Sequence, residues 1–153
     1  MKKKVFIISL IIFILDQILK FLVNFYLMSE FDIIPGFFSL KLAYNNGAAF
    51  SIFSGNVTFL IIMNLLIFVF LFKYMKNFKK TFRNTLAFGL VFGGLFGNVI
   101  DRIRLGYVVD YLKFVFFGNT FPIFNLADTC LCIGMLLIII AVIKKEDEYE
   151  INC

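Results

Sequence analysis

Apolar residues fall into four long runs, roughly Val5 to Tyr26, Val57 to Tyr74, Thr85 to Ile103 and Pro122 to Ile143. Each is long enough to cross about 30 Å of hydrocarbon at a helical rise of about 1.5 Å per residue, the second being the shortest. The segments 27–56 and 104–121 carry few Lys or Arg and many aromatic side chains, whereas the segment between the second and third runs is basic. Within 27–56, Phe38, Leu40, Leu42 and Tyr44 alternate with Ser39, Lys41, Ala43 and Asn45. That period of two predicts a half-buried strand, closed by a turn at Asn45, Asn46 and Gly47. The pattern as a whole predicts an all-α integral membrane protein: one membrane-embedded domain over residues 1–153, a four-transmembrane-helix bundle with a small external β cradle. Gly89, Gly93 and Gly97, spaced by four, mark a face of the third helix that another helix can approach closely.

Composition agrees with this. A mean hydropathy of +0.95, with 61% hydrophobic and 16% charged residues, excludes an ordinary soluble domain, a disordered chain, a coiled coil and a disulfide-rich scaffold. The absence of His excludes Ser-His-Asp and Cys-His nucleophile systems and any His-based metal site. Lys2, Lys3 and Lys4, then Lys73, Lys76, Lys79, Lys80 and Arg83, then Lys144 and Lys145 place both termini and the middle loop on the cytoplasmic side. The basic loop reads as a topology signal and a contact for anionic lipid, not as a nucleic-acid surface. The acidic tail from Glu146 to Glu150 reads as solvated. Lys2 to Leu15 also has the n-region and h-region of a secretory signal peptide, but no A-x-A site follows and the run continues through Asp16, Gln17 and Lys20, so it is taken as the first membrane helix. Cys130 and Cys132 lie two apart on the fourth helix, point to different faces and read as small core residues. Gly36, Gly47 and Gly118 are hinge candidates.

The charged positions inside the runs carry the chemistry. A charge near the centre of a spanning helix costs about 2.5 to 3.5 kcal/mol, so each must be paired, wet or functional. Asp16 and Lys20 stand at i and i+4 and can pair. Asn98, Asp101 and Arg102 share one stripe of the third helix, and Asn125 and Asp128 repeat the i, i+3 spacing on the fourth. At helical rise Asp16 lies about 16 Å above Val5, Asp101 about 24 Å above Thr85, and Asp128 about 9 Å below Pro122. All three fall in the outer half of the bilayer, at a level that Asp110 in the external loop can reach, and their convergence predicts a polar pocket there. The available catalytic unit is a carboxylate pair sharing one proton, one member taking a proton from water and the other polarising a carbonyl. Asp110 and Asp128 are the better candidates, because Asp101 has Arg102 beside it and Asp16 has Lys20 one turn away. Asn98, Asn125 and Arg102 can orient the pair or hold a substrate backbone.

The chain also resembles signal peptidase II, the lipoprotein signal peptidase of bacterial plasma membranes, nearly end to end. The resemblance rests on DQILK at 16 to 20, NNGAAF at 45 to 50, GNVIDR at 97 to 102, VVDY at 108 to 111 and FNLAD at 124 to 128. It implies that Asp110 and Asp128 are the catalytic dyad, that Asp16, Lys20, Asn45, Gly47, Asn98, Arg102 and Asn125 bind substrate or support the site, and that no metal or other cofactor takes part; Asp101, on the stripe of Asn98 and Arg102, is counted with the supporting residues. Phe50, which ends the second motif, is the one Phe of the 23 singled out for a specific role. The substrate implied is a diacylglyceryl-modified prolipoprotein, cut on the amino side of the lipidated Cys after a separate diacylglyceryl transferase has acted. The implied setting is the plasma membrane, with membrane lipid as the other partner, a monomeric chain and the site toward the outer leaflet. Two rival classes stand beside this reading. A proton-coupled transporter requires polar groups through the full depth, whereas the inner half is apolar apart from Asn64; a scaffold protein leaves the convergence of Asp110 and Asp128 without an explanation.

Overall fold

The computed structural model describes residues 1–48 and 52–147, so the readings made for Phe50 and for the tail residues 148–150 lie outside the described residues. Among the described residues four helices are long and apolar enough to cross a membrane: α1 (Lys2–Tyr26), α2 (Val57–Tyr74), α3 (Phe82–Leu105) and α4 (Leu126–Ile143). Strands β1 (Phe31–Ile34), β2 (Phe38–Asn45), β3 (Val108–Phe116) and β4 (Asn119–Thr120) form an antiparallel sheet in chain order. Connectivity sets the sheet at one end of the helices and gathers the lysine-rich segments at the other.

Helix α1 is built inside out relative to a helix of a soluble protein. On α1 the buried positions are Val5, Ser9, Asp16 and Lys20, one stripe that is mostly polar, while Phe6, Leu10, Phe21 and Phe25 are exposed. In lipid this is the expected sense, since apolar side chains are at ease outside and polar ones must find partners within. Helix α3 is the central element, burying Phe88, Val91, Phe92, Leu95 and Val99 along most of its length. Its start is capped by Thr81, whose hydroxyl accepts from the Asn84 amide, and its end by Gly106 in the left-handed region at φ 81.

The predicted glycine face is the contact with α1: a Cβ on Gly89 would meet Ile8 at 2.5 Å, and one on Gly93 would meet Ile12 at 2.7 Å. A second close approach joins α3 to α4 at Gly94. A Cβ on Gly94 would lie 2.5 Å from the Ala127 carbonyl oxygen, which is backbone and cannot swing aside. Gly94→Ala is therefore expected to push the start of α4 away and to destabilise the protein by about 1–3 kcal/mol, read as a lowered unfolding midpoint in detergent.

Several boundaries differ from those predicted. Helix α4 begins at Leu126, not Pro122, because residues 122–125 are extended, Phe124 bridges to Leu112, and Asn125 is the N-cap. Hydropathy runs straight through that boundary, whereas cap geometry defines it. Strand β2 has the predicted limits, but Ser39 is its most buried residue and Tyr44 is exposed. A bulge between Leu40 and Ala43 breaks the register, and Glu30 accepts from the Ser39 hydroxyl at 2.9 Å. Cys132 is exposed, not core, while Cys130 is buried. The first tail residues are held rather than solvated: Glu146 pairs with Arg83 at 2.5 Å and accepts from Asn84, and Asp147 accepts from the Tyr74 hydroxyl at 2.7 Å.

Candidate active site

Two segments distant in sequence bring the carboxylates together. Strand β3 places Asp110 opposite Ala43 of β2, and the first turn of α4 places Asp128 beside α3. Asp110 is 2% exposed and Asp128 is half-buried. The Asn125 amide donates to Asp110 Oδ1 at 2.7 Å, and the Asn45 amide to Asp110 Oδ2 at 3.1 Å. The Asn98 amide donates to Asp128 Oδ1 at 2.7 Å, and the Asn125 backbone N–H to Asp128 Oδ2 at 3.2 Å. Among the described residues no Lys or Arg lies within ion-pair distance of either carboxylate.

Asp16 and Asp101, in contrast, both pair with Lys20. Its ammonium lies 2.8 Å from Asp16 Oδ2 and 2.9 Å from Asp101 Oδ2, and donates to Asn98 Oδ1 at 3.0 Å. Asp101 was expected to be satisfied by its neighbour Arg102; the structure turns that guanidinium elsewhere. Arg102 donates to the Gly47 carbonyl at 2.8 Å, and Gly47 N–H donates to Asn45 Oδ1 at 2.9 Å. Gly47 is thus a fixed backbone acceptor. Every predicted site residue belongs to one continuous network: Asp16, Lys20 and Asp101 pass through Asn98 to Asp128 and Asn125, and from Asp110 through Asn45 and Gly47 to Arg102 and back to Asn98.

The position of Asp128 is fixed by the way its helix starts. A helix leaves its first amides without internal partners. Here Leu126 N–H donates to the Tyr111 hydroxyl at 3.3 Å, Ala127 N–H to Asp16 at 3.0 Å, and Asp128 N–H to Asn125 Oδ1 at 2.9 Å. Asn125 and Asp128 complete a capping box. Three elements therefore hold one helical turn. Gly97 permits the clamp, because a Cβ there would meet Asp16 Oδ2 at 2.5 Å. Tyr111 was not predicted as a site residue, nor was Gln17, whose amide donates to Asp101 Oδ1 at 2.9 Å. Both stand inside quoted motifs, and the available signal was a polar group adjacent to a buried carboxylate.

Burial, and then the charge of Asp128, push the Asp110 carboxyl up to about 7, against the opposing hydrogen bonds from Asn45 and Asn125. Both carboxylates line a cavity of about 730 Å³, with Asn45, Asn98 and Arg102 at its polar end and Phe121, Pro122, Ile123, Leu131 and Ile133 in its apolar walls. Such a site can hold an apolar chain alongside a peptide bond and present that bond to one neutral and one charged carboxyl.

Four helices long and apolar enough to cross a membrane, capped by a small sheet with a carboxylate cluster under it, fit the architecture of a multi-pass membrane enzyme. Two solved bacterial membrane enzymes share it. One, determined at 2.3 Å by the in meso method, superposes with a TM-score of 0.82 at 37% identity over 92% of this chain and 87% of that one. The other, at 1.9 Å, gives 0.76 at 36% identity over 92% of each. Lipoprotein signal peptidases of Staphylococcus aureus strains JH9 and Newman are each 40% identical over 98% of this chain and all of their own length. The signal peptidase (SPase) II family model matches residues 8–144, and the chain belongs to that family of peptidases.

Proposed function

We propose that this signal peptidase II removes signal peptides from prolipoproteins by aspartic chemistry at Asp110 and Asp128, cutting on the amino side of a diacylglyceryl-modified Cys. The observation that carries the assignment is the division of the four clustered carboxylates: Asp16 and Asp101 are ion-paired to Lys20, and the remaining two, without an ion-pair partner among the described residues, face one cavity. Around neutral pH the pair holds one proton. The ionised member takes a proton from a water whose oxygen adds to the scissile carbonyl carbon, while the protonated member hydrogen-bonds the carbonyl oxygen. When the C–N bond breaks, the nitrogen receives a proton from the pair, leaving a carboxylate on the signal peptide and a free amine on the lipidated Cys. Asn45, Asn98 and Asn125 orient the two carboxyls, and Arg102, held by the Gly47 carbonyl, lines the cavity beside them. Asp16 and Lys20 hold α4 and Asn98 in place.

Topology supports the same reading. The lysine-rich ends of the helices set both termini on the cytoplasmic side, so the dyad lies toward the outer leaflet. Acyl chains can then stay in the bilayer while the peptide bond reaches the carboxylates, and the enzyme works as a monomer downstream of a prolipoprotein diacylglyceryl transferase. The test is incubation of the purified protein, with chelator present, with a diacylglyceryl-modified precursor and with its unmodified form. Cleavage of the lipidated form alone is expected; equal cleavage of both, or of neither, contradicts the substrate assignment. The pH dependence is a separate prediction. Because Asp110 carries its proton up to about pH 7, kcat/KM is expected to fall above that value as the pair becomes doubly ionised and loses its acid. A rate that climbs steadily to pH 9 points instead to a different base.

A further inference from the structure

The end of the helices opposite the dyad holds a second cavity, of about 470 Å³, between the start of α1 and the turn Met75–Asn77 that follows α2. Its floor is apolar, made by Met1 with the buried Met75 and Phe78, and its rim is Lys2, Lys3, Lys76 and Lys80. Among the described residues none of these four ammonium groups has a carboxylate within ion-pair distance. Of the described tail acids, Glu146 is engaged by Arg83 and Asn84, and Asp147 by Tyr74. Lys2 lies over the Phe72 ring, 5.5 Å from its centroid, so one charge of the rim is seated and not merely trailing in solvent. The first turn of α1 adds to the imbalance, since it contains no acid and has no side-chain cap. Positive charge at that helix end opposes the macrodipole, and an anion there relieves both.

A cationic rim over an apolar floor matches a group that is charged at one end and greasy at the other. The cavity sits at the ends of membrane-spanning helices, at the depth of lipid headgroups. We propose that it is a binding site for the phosphate headgroup of an anionic phospholipid, with the glycerol and first methylenes lying against Met1 and the methylene stems of Lys76 and Lys80. The lipid ties α1 to the turn between α2 and α3. The site is independent of the catalytic reading.

Native mass spectrometry of the full chain in an uncharged detergent tests this, with phosphatidylglycerol, phosphatidylcholine of the same acyl chains, and inorganic phosphate as probes. The wild type is expected to retain one phosphatidylglycerol and no phosphatidylcholine. Lys76→Gln/Lys80→Gln is expected to weaken that retention about tenfold. Lys144→Gln/Lys145→Gln, the same charge change at the same end but outside the cavity, retains the lipid as the wild type does. Lys3→Gln/Lys80→Gln, expected to act like the first pair, guards against a folding defect in either, and lipid-free melting temperatures matching the wild type confirm intact folds. Equal losses in the cavity and control variants mean diffuse attraction and overturn the site. Retention of phosphatidylcholine, or displacement of the lipid by equimolar inorganic phosphate, overturns the lipid assignment.

Discussion

Asp110→Asn is expected to slow precursor cleavage by at least about 10³-fold while leaving the protein folded. Asn keeps the shape of the side chain but can neither carry the shared proton nor accept one from water, so the pair loses its acid–base function. The same substitution is expected to raise the melting temperature at pH 8 by about 5 °C. The sign follows from linkage. The folded-state Asp110 carboxyl is raised from 3.8 to about 7, so between those values the folded state holds a proton that the unfolded state has released. Stability contributed by that proton is present at low pH, is lost as pH rises through the window, and stays lost above it. Asn removes the burden of a buried charge, offset by a weakened hydrogen bond to Asn45 or Asn125 worth about 1 kcal/mol. Thermal unfolding at pH 5 and pH 8 checks this, with a larger gain expected at pH 8. Asp128→Asn should abolish cleavage likewise, and wild-type turnover by either variant contradicts the dyad.

Lys20→Met should produce the largest loss of stability in the molecule. One ammonium, 3% exposed, serves two carboxylates within 3 Å and holds the Asn98 amide that supports Asp128. Removing one partner of a buried ion pair costs about 3–5 kcal/mol, because the other is left charged without compensation. Here two are left. Denaturation in detergent measures the loss, and adding Asp101→Asn to Lys20→Met is expected to recover a large part of it, since one orphaned charge is removed. A loss below about 1 kcal/mol means that water reaches the cluster and screens it.

Much of this was legible in the sequence, for identifiable reasons. Hydropathy locates spans because a bilayer demands long apolar runs, and the intramembrane charges stand out because each has a large cost. The i, i+4 spacing of Asp16 and Lys20 and the stripe of Asn98, Asp101 and Arg102 survive folding unchanged, since helical geometry is local. What pairs across elements did not show. Lys20 serves Asp101 on another helix, and Arg102 turns to the Gly47 carbonyl. Strand β3 went unread because Val108, Val109, Asp110 and Tyr111 are all buried, so no period of two appears. Tyr111 escaped notice because its role is to accept one amide at the start of α4, a contact set by docking and not by composition.

The shared proton is the centre of this account, and infrared difference spectroscopy of the carboxylic C=O stretch addresses it most directly. The wild type at pH 6 is predicted to show a protonated buried carboxyl that titrates with a midpoint near pH 7 and is absent from Asp110→Asn. A wild type with no such band, or a band that persists unchanged in Asp110→Asn, contradicts it.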